Sequence, residues 1–163
     1  MILKWTIGIV LTIAVGYGVI LLVRQSQQPL PGVAFAIQGQ EHIAIGASHP
    51  EYNSNPPTSG WHYAQEANLG VSQVELPDEQ VLHNLEHGGI WISYKDIDDA
   101  TKAALEKIVK SHSKMILEPR SKSDAQIVLA SWGRLQKLQS FDEQAIQTFI
   151  DANSNKSPEP FAQ

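Results

Sequence analysis

The chain has 163 residues, 12 basic against 17 acidic side chains, six histidines and no cysteine. Its length sets one compact domain as the expectation. Without thiols, disulfides, thiolate metal sites, iron–sulfur clusters and thiol nucleophiles are excluded, so any metal would rest on His, Asp, Glu, Met and backbone donors.

The first 24 residues differ from the rest. From Trp5 to Val23 nineteen residues carry no charge. At a helical rise of about 1.5 Å per residue the run spans roughly 28 Å, close to the hydrocarbon thickness of a bilayer. Lys4 and Arg24 bracket it, and Trp5 sits where aromatic rings favour the interface. The run is longer than a secretory h-region, and Leu21-Leu22-Val23-Arg24-Gln25 offers no small-x-small cleavage site. The expectation is an uncleaved signal anchor over residues 1–24, a single-pass transmembrane helix with its N-terminus in the cytoplasm and the following domain outside it. Beyond Arg24 the chain keeps 10 basic and 17 acidic residues, a net charge of −7. That balance argues against a nucleic-acid partner and against adhesion to anionic lipid.

Residues 25–32 are polar and Pro-rich, a linker that a membrane helix cannot continue through. The domain then occupies 33–163. Val33–Ile37 and His42–Ile45 predict an early hairpin across Gln38-Gly39-Gln40. From Gly46 to Gly70 the chain is dense in Pro, Asn, Ser and Gly, a length of irregular backbone that in a compact domain points to function. Pro77 followed by Asp78-Glu79 predicts a helix start, and Gly88-Gly89 its stop, giving a short helix over 78–87. Ile90–Tyr94 reads as a central strand. Asp98–Ser111 is an amphipathic helix capped by Asp98 or Asp99, with Ala100, Ala103, Ala104, Ile108 and Val109 recurring on one face. Met115–Leu117 and Ala125–Trp132 read as strands, the second continuing as a hairpin through Gly133-Arg134 into Leu135–Leu138. Phe141–Ala152 is a terminal amphipathic helix, and the polar residues from Asn153 predict a frayed tail. The order predicts an α+β fold: a mostly antiparallel sheet with helices packed on one face.

The chemistry concentrates in the histidines. His83 and His87 stand four residues apart, with Glu86 beside the second. That spacing puts both rings on one side of a helix or a strand. The letters His83-Asn84-Leu85-Glu86-His87 fit H-x-x-E-H, in which two histidines bind zinc and the glutamate activates water. The Gly-Gly stop and the short chain after it do not suit the larger peptidase domains that carry that motif. A non-hydrolytic metal site is the broader reading: His83 and His87 supply two ligands, and His62, behind Pro56-Pro57-Thr58-Ser59-Gly60, or His42 or His49 a third. Imidazole-rich, thiolate-free sites suit copper, zinc or nickel. Met115 would add a thioether favouring copper, although its apolar strand marks it as core. The same histidines would equally serve as hydrogen-bond pins for the Pro-rich loop, with Glu86 holding a neighbouring tautomer. Ser59 beside His62 lacks a G-x-S-x-G elbow and an orienting acid, so a serine hydrolase is not indicated. His112, just past a helix end, complements the helix dipole.

Tyr52, the Pro56–His62 segment, the Val81–Tyr94 block, Ala130-Ser131-Trp132-Gly133-Arg134 and Pro158-Glu159 together resemble the bacterial domain of unknown function 3105 family. The resemblance covers about residues 40–160. It implies an extracytoplasmic, membrane-anchored bacterial protein, here at the inner membrane, and it aligns His42, His62, His83, His87 and Glu86 with the family's histidine pattern. Some members carry Cys where Leu69 stands here, and this chain has none. The functional expectation is a copper or zinc carrier or assembly factor using His83, His87, His62, His42 and Glu86. The alternatives are a metal-dependent hydrolase and a non-catalytic subunit of a membrane protein complex. Enzymatic activity is the weaker expectation.

Overall fold

The computed structural model describes residues 15–20 and 30–161. The chain forms two compact units, Met1–Leu30 and Pro31–Gln163. In the first, residues 15–20 are helical (α1). Most of the expected span Trp5–Val23, with Lys4 and Arg24, lies outside the described residues. Among those described, no helix is long and apolar enough to cross a membrane.

In the second unit the chain runs β1 (Val33–Ala34), β2 (His42–Ile43), β3 (His62–Tyr63), β4 (Gly70–Val71), α2 (Asp78–Glu86), β5 (Ile90–Tyr94), α3 (Asp99–Lys110), β6 (Met115–Pro119), β7 (Ile127–Ser131), β8 (Arg134–Leu138) and α4 (Glu143–Asn153). Six strands form one mixed sheet in the order β1-β8-β7-β5-β6-β4. The pairs β1/β8, β8/β7 and β7/β5 are antiparallel, and β5/β6 and β6/β4 are parallel. The parallel step follows from α3, which links β5 to β6 and carries the chain back to the starting edge. The small α+β domain is therefore as anticipated, with more parallel pairing than a meander of strands would have.

The predicted early hairpin does not form. Val33–Ala34 pairs with β8, and His42–Ile43 makes a separate parallel ribbon with His62–Tyr63. Gly39 turns away from a hairpin: its carbonyl accepts from the Gly60 N–H, and that of Glu41 from the His62 N–H. Both bonds draw the segment to the Pro-rich loop.

Side-chain alternation along the central strands sends Ile90, Ile92, Tyr94, Met115, Leu117, Ile127 and Leu129 to one face, against Leu105, Ile108 and Val109 of α3 and Ile146, Phe149 and Ile150 of α4. Trp91, Ile116 and Ala130 point to the other face, where Val81, Leu82 and Leu85 of α2 and Trp132 meet them. Helices thus cover both faces, not one. At nine residues α2 is too short to persist alone. Its stability comes from Val81, Leu82 and Leu85, each fully buried and each stabilising by roughly 2 kcal/mol relative to exposure.

The helix caps follow from local sequence. Asp98 accepts from the Thr101 N–H at 2.7 Å, and Asp142 from the Ala145 N–H at 2.9 Å. Pro77 occupies the N-cap of α2, one position earlier than a first-turn proline. The stop is a Schellman arrangement: Gly89 N–H donates to the Asn84 carbonyl and Gly88 N–H to that of Leu85, with Gly88 at φ +83°. A Cβ on Gly88 would also sit 2.7 Å from Asn155 Cα, because the C-terminal tail docks there. The tail is tied down where fraying was predicted: Asn155 N–H donates to the Gly88 carbonyl, Glu159 N–H to that of Glu86, and Lys114 Nζ to that of Pro160.

Candidate metal centre

The histidines meet between α2 and the β2/β3 ribbon. His83 projects from α2 and His87 from its C-cap. The ribbon β2/β3 places His42 directly opposite His62 in register. The His42 ring stacks on His83 at 4.9 Å and meets His62 edge-on at 4.8 Å, and the His83 and His87 rings are 4.5 Å apart. His42, His62, His83, His87 and Glu86, separated by up to 45 positions in the chain, therefore stand together.

Three of these rings are held from behind by a single seven-residue stretch. His62 Nδ1 donates to the Gly60 carbonyl at 2.8 Å, and His83 Nδ1 to the Tyr63 carbonyl at 2.7 Å. His87 Nδ1 pairs with the Glu66 carboxylate. Each partner holds Nδ1 and leaves Nε2 facing inward, the outer arrangement that orients metal-binding imidazoles. Gly60 has φ +117°, a conformation L side chains rarely adopt, which brings its carbonyl round to His62. The stretch is itself fastened to α2. Asn84 accepts from the Ala67 N–H and donates to the Ala67 carbonyl, both at 3.0 Å, and Gln80 donates to the Glu66 carbonyl. The Tyr52 hydroxyl donates to the Trp61 carbonyl at 2.6 Å, bracing the loop from its other side.

The inward atoms are close. His83 Nε2 and His87 Nε2 are 3.2 Å apart, His62 Nε2 and Glu86 Oε2 3.0 Å, and His42 Nε2 and Glu86 Oε2 3.8 Å. Two ligands on one ion with bonds of about 2.05 Å lie at most about 4.1 Å apart, so all three separations fit shared coordination. For His83 and His87 the implied angle at the ion is about 103°, near tetrahedral. Burial holds the His83 ring below the ordinary imidazole range, the Tyr63 carbonyl opposing and the neighbouring His87, His62 and His42 adding to it. With Nδ1 protons committed to acceptors, the facing Nε2 atoms of His83 and His87 need a proton or a cation between them. His62 is fully buried and Glu86 is 2% exposed, so their contact likewise shares a proton or binds a cation.

The other candidates lie elsewhere. His49 bonds to the Pro50 carbonyl and to Glu79, against the Tyr52 and Trp61 rings. His112 caps α3 through the Ile108 carbonyl. Met115 packs with α3 and α4 on the opposite face of the sheet. Ser59 Oγ accepts from the Gln38 N–H, a brace for the loop. Two acids at the site were not among the expected ligands. Glu66 pairs with His87 Nδ1, and Glu159 Oε2 lies 3.7 Å from His87 Nε2.

Residues 46–163 match the family described as Protein of unknown function (DUF3105). The chain belongs to that family. The match starts after His42 and takes in His62, His83, Glu86 and His87 of the cluster. No curated protein and no solved structure matches the chain.

Proposed function

We propose that this DUF3105 protein is a membrane-anchored extracytoplasmic domain at the bacterial inner membrane that binds a divalent transition ion, zinc or copper, as a carrier or assembly factor. His62, His83 and His87 bind the ion, and His42 and Glu86 complete the site. The observation that carries this reading is the outer frame: Gly60, Tyr63 and Glu66 occupy Nδ1 of three imidazoles and leave Nε2 inward, with those of His83 and His87 3.2 Å apart and that of His62 3.0 Å from Glu86 Oε2. Histidines serving only as loop pins need one bonded nitrogen each, and would not also bring Nε2 atoms to 3.2 Å. The Trp5–Val23 run supports the anchor.

Carrier chemistry is favoured over hydrolysis by the placement of Glu86. A general base must reach a water or substrate, whereas Glu86 is 2% exposed and engaged by His62. His42, with half its side chain exposed, gives the ion a solvent-facing side for transfer. The thioether that would favour copper(I) is on the other face of the sheet. The test is elemental analysis of the purified full-length protein after exposure to Zn²⁺ and Cu²⁺, beside a His83→Ala/His87→Ala variant. Metal on the wild type and none on the variant is the expected outcome. Metal on neither sinks the proposal, and cleavage of peptide or ester substrates by the metal-loaded protein would favour the hydrolase.

A further inference from the structure

The site holds more donors than one ion uses. Zinc and copper sites built from imidazole and carboxylate take about four protein or water ligands. Here four imidazoles and the carboxylates of Glu86 and Glu159 converge. Among the described residues, donor atoms within 4.8 Å of one another form three overlapping triads; one is Glu66, His83 and His87, in which Glu66 engages His87 Nδ1, and the other two share no residue. Of these two sets, the first is His42, His62 and His83, and the second is Glu86, His87 and Glu159.

We infer that the second set is a further metal position, carboxylate-rich and built by the C-terminal tail, so that the centre holds two ions side by side. The inference rests on the metal reading above and reassigns His87 from the first ion to the second. Glu159 is placed by backbone, not by chance of a surface side chain. Its N–H donates to the Glu86 carbonyl at 3.1 Å, while Asn155 N–H donates to Gly88 and Lys114 Nζ to Pro160 on either side. His87 Nε2 then lies 3.7 Å from Glu159 Oε2, inside the span two ligands of one ion allow. Glu66 on Nδ1 keeps that lone pair pointed inward.

Glu86 stands between the two sets. Its Oε2 lies 3.0 Å from His62 Nε2 and 3.8 Å from His42 Nε2, while it belongs to the triad of His87 and Glu159. A carboxylate so placed bridges two cations and offsets their mutual repulsion. In two-metal sites the ions stand about 3.5–4 Å apart, a spacing a bridging carboxylate accommodates. One imidazole with two carboxylates is a harder donor set than three imidazoles, and Zn²⁺ accepts both. The chemistry assigned to the second position is thus that of a divalent ion taking oxygen and nitrogen, not a soft monovalent one.

The experiment counts zinc per chain on the full-length protein in detergent, equilibrated against buffered free Zn²⁺, for wild type and Glu159→Gln. Glu159 is half-exposed, so the variant should keep the fold, which circular dichroism checks. The expected result is two ions on the wild type and one on the variant, with the second binding step weakened more than the roughly 10–100-fold typical of losing an outer partner. One ion on both proteins overturns the second position and leaves the single-ion reading intact. Two ions on both overturns the assignment to the tail. No zinc on either overturns this inference together with the reading beneath it.

Discussion

Glu118 offers a pH-dependent test of how α2 is seated. It lies on β6, fully buried, and its Oε2 accepts from the Leu76 N–H at 2.5 Å, just before the helix begins. Burial pushes its carboxyl from 4.5 up to about 7; the Leu76 bond, the Trp91 indole and the Arg120 guanidinium oppose the shift, and Asp78 adds to it. A rise of about 2.5 units at about 1.36 kcal/mol per unit is roughly 3 kcal/mol. The unfolded chain ionises first, so unfolding gains as pH rises: stability is full below about pH 4.5, falls through about pH 7 and is level above. His83, held low by burial, works in the opposite sense as pH rises through its unfolded value of 6.5. Comparison with Glu118→Gln at each pH cancels that contribution. The assay is urea unfolding followed by tryptophan fluorescence at pH 4 and pH 8. The stability of the wild type relative to the variant should fall by about 3 kcal/mol between the two. Parallel behaviour of the two proteins at both pH values would refute the buried, protonated carboxyl.

Two further substitutions probe the frame around the histidines. Asn84→Ala removes both bonds to the buried Ala67 peptide; at about 1–3 kcal/mol per orphaned group it should cost about 3 kcal/mol in the same unfolding assay. Gly88→Ala places a Cβ at φ +83° and 2.7 Å from Asn155 Cα. It should cost at least about 1 kcal/mol and release the tail, read as faster limited proteolysis within residues 154–161.

Much of the fold was legible because it is written locally. The acids after Pro77, the Gly88-Gly89 stop and the cap Asp98 mark helix ends through chemistry confined to a few residues. Strands β5 and β7 are apolar on successive residues, as strands covered on both faces must be. The ribbon β2/β3 and the strands β1 and β4 have two residues each, too short for any period, and their partners are distant in sequence. The helix α2 was expected, but its place on the second face was not, because apolar spacing shows that a helix packs and not on which side. At the site, the His83/His87 spacing and the histidine ending the Pro-rich loop pointed to residues that do meet. Glu66 and Glu159 are partly exposed acids without pattern, and their role depends on a tail that composition alone marked as frayed. The Pro158-Glu159 block within the family resemblance was the one available hint.

The central claim is that imidazoles of this cluster bind a metal, and X-ray absorption at the zinc edge on the loaded full-length protein tests it most directly. The expected spectrum shows a nitrogen shell at about 2.0–2.1 Å with the outer scattering of several imidazole rings, lost in His83→Ala/His87→Ala. Zinc ligated without imidazole, or a spectrum unchanged in that variant, would contradict it.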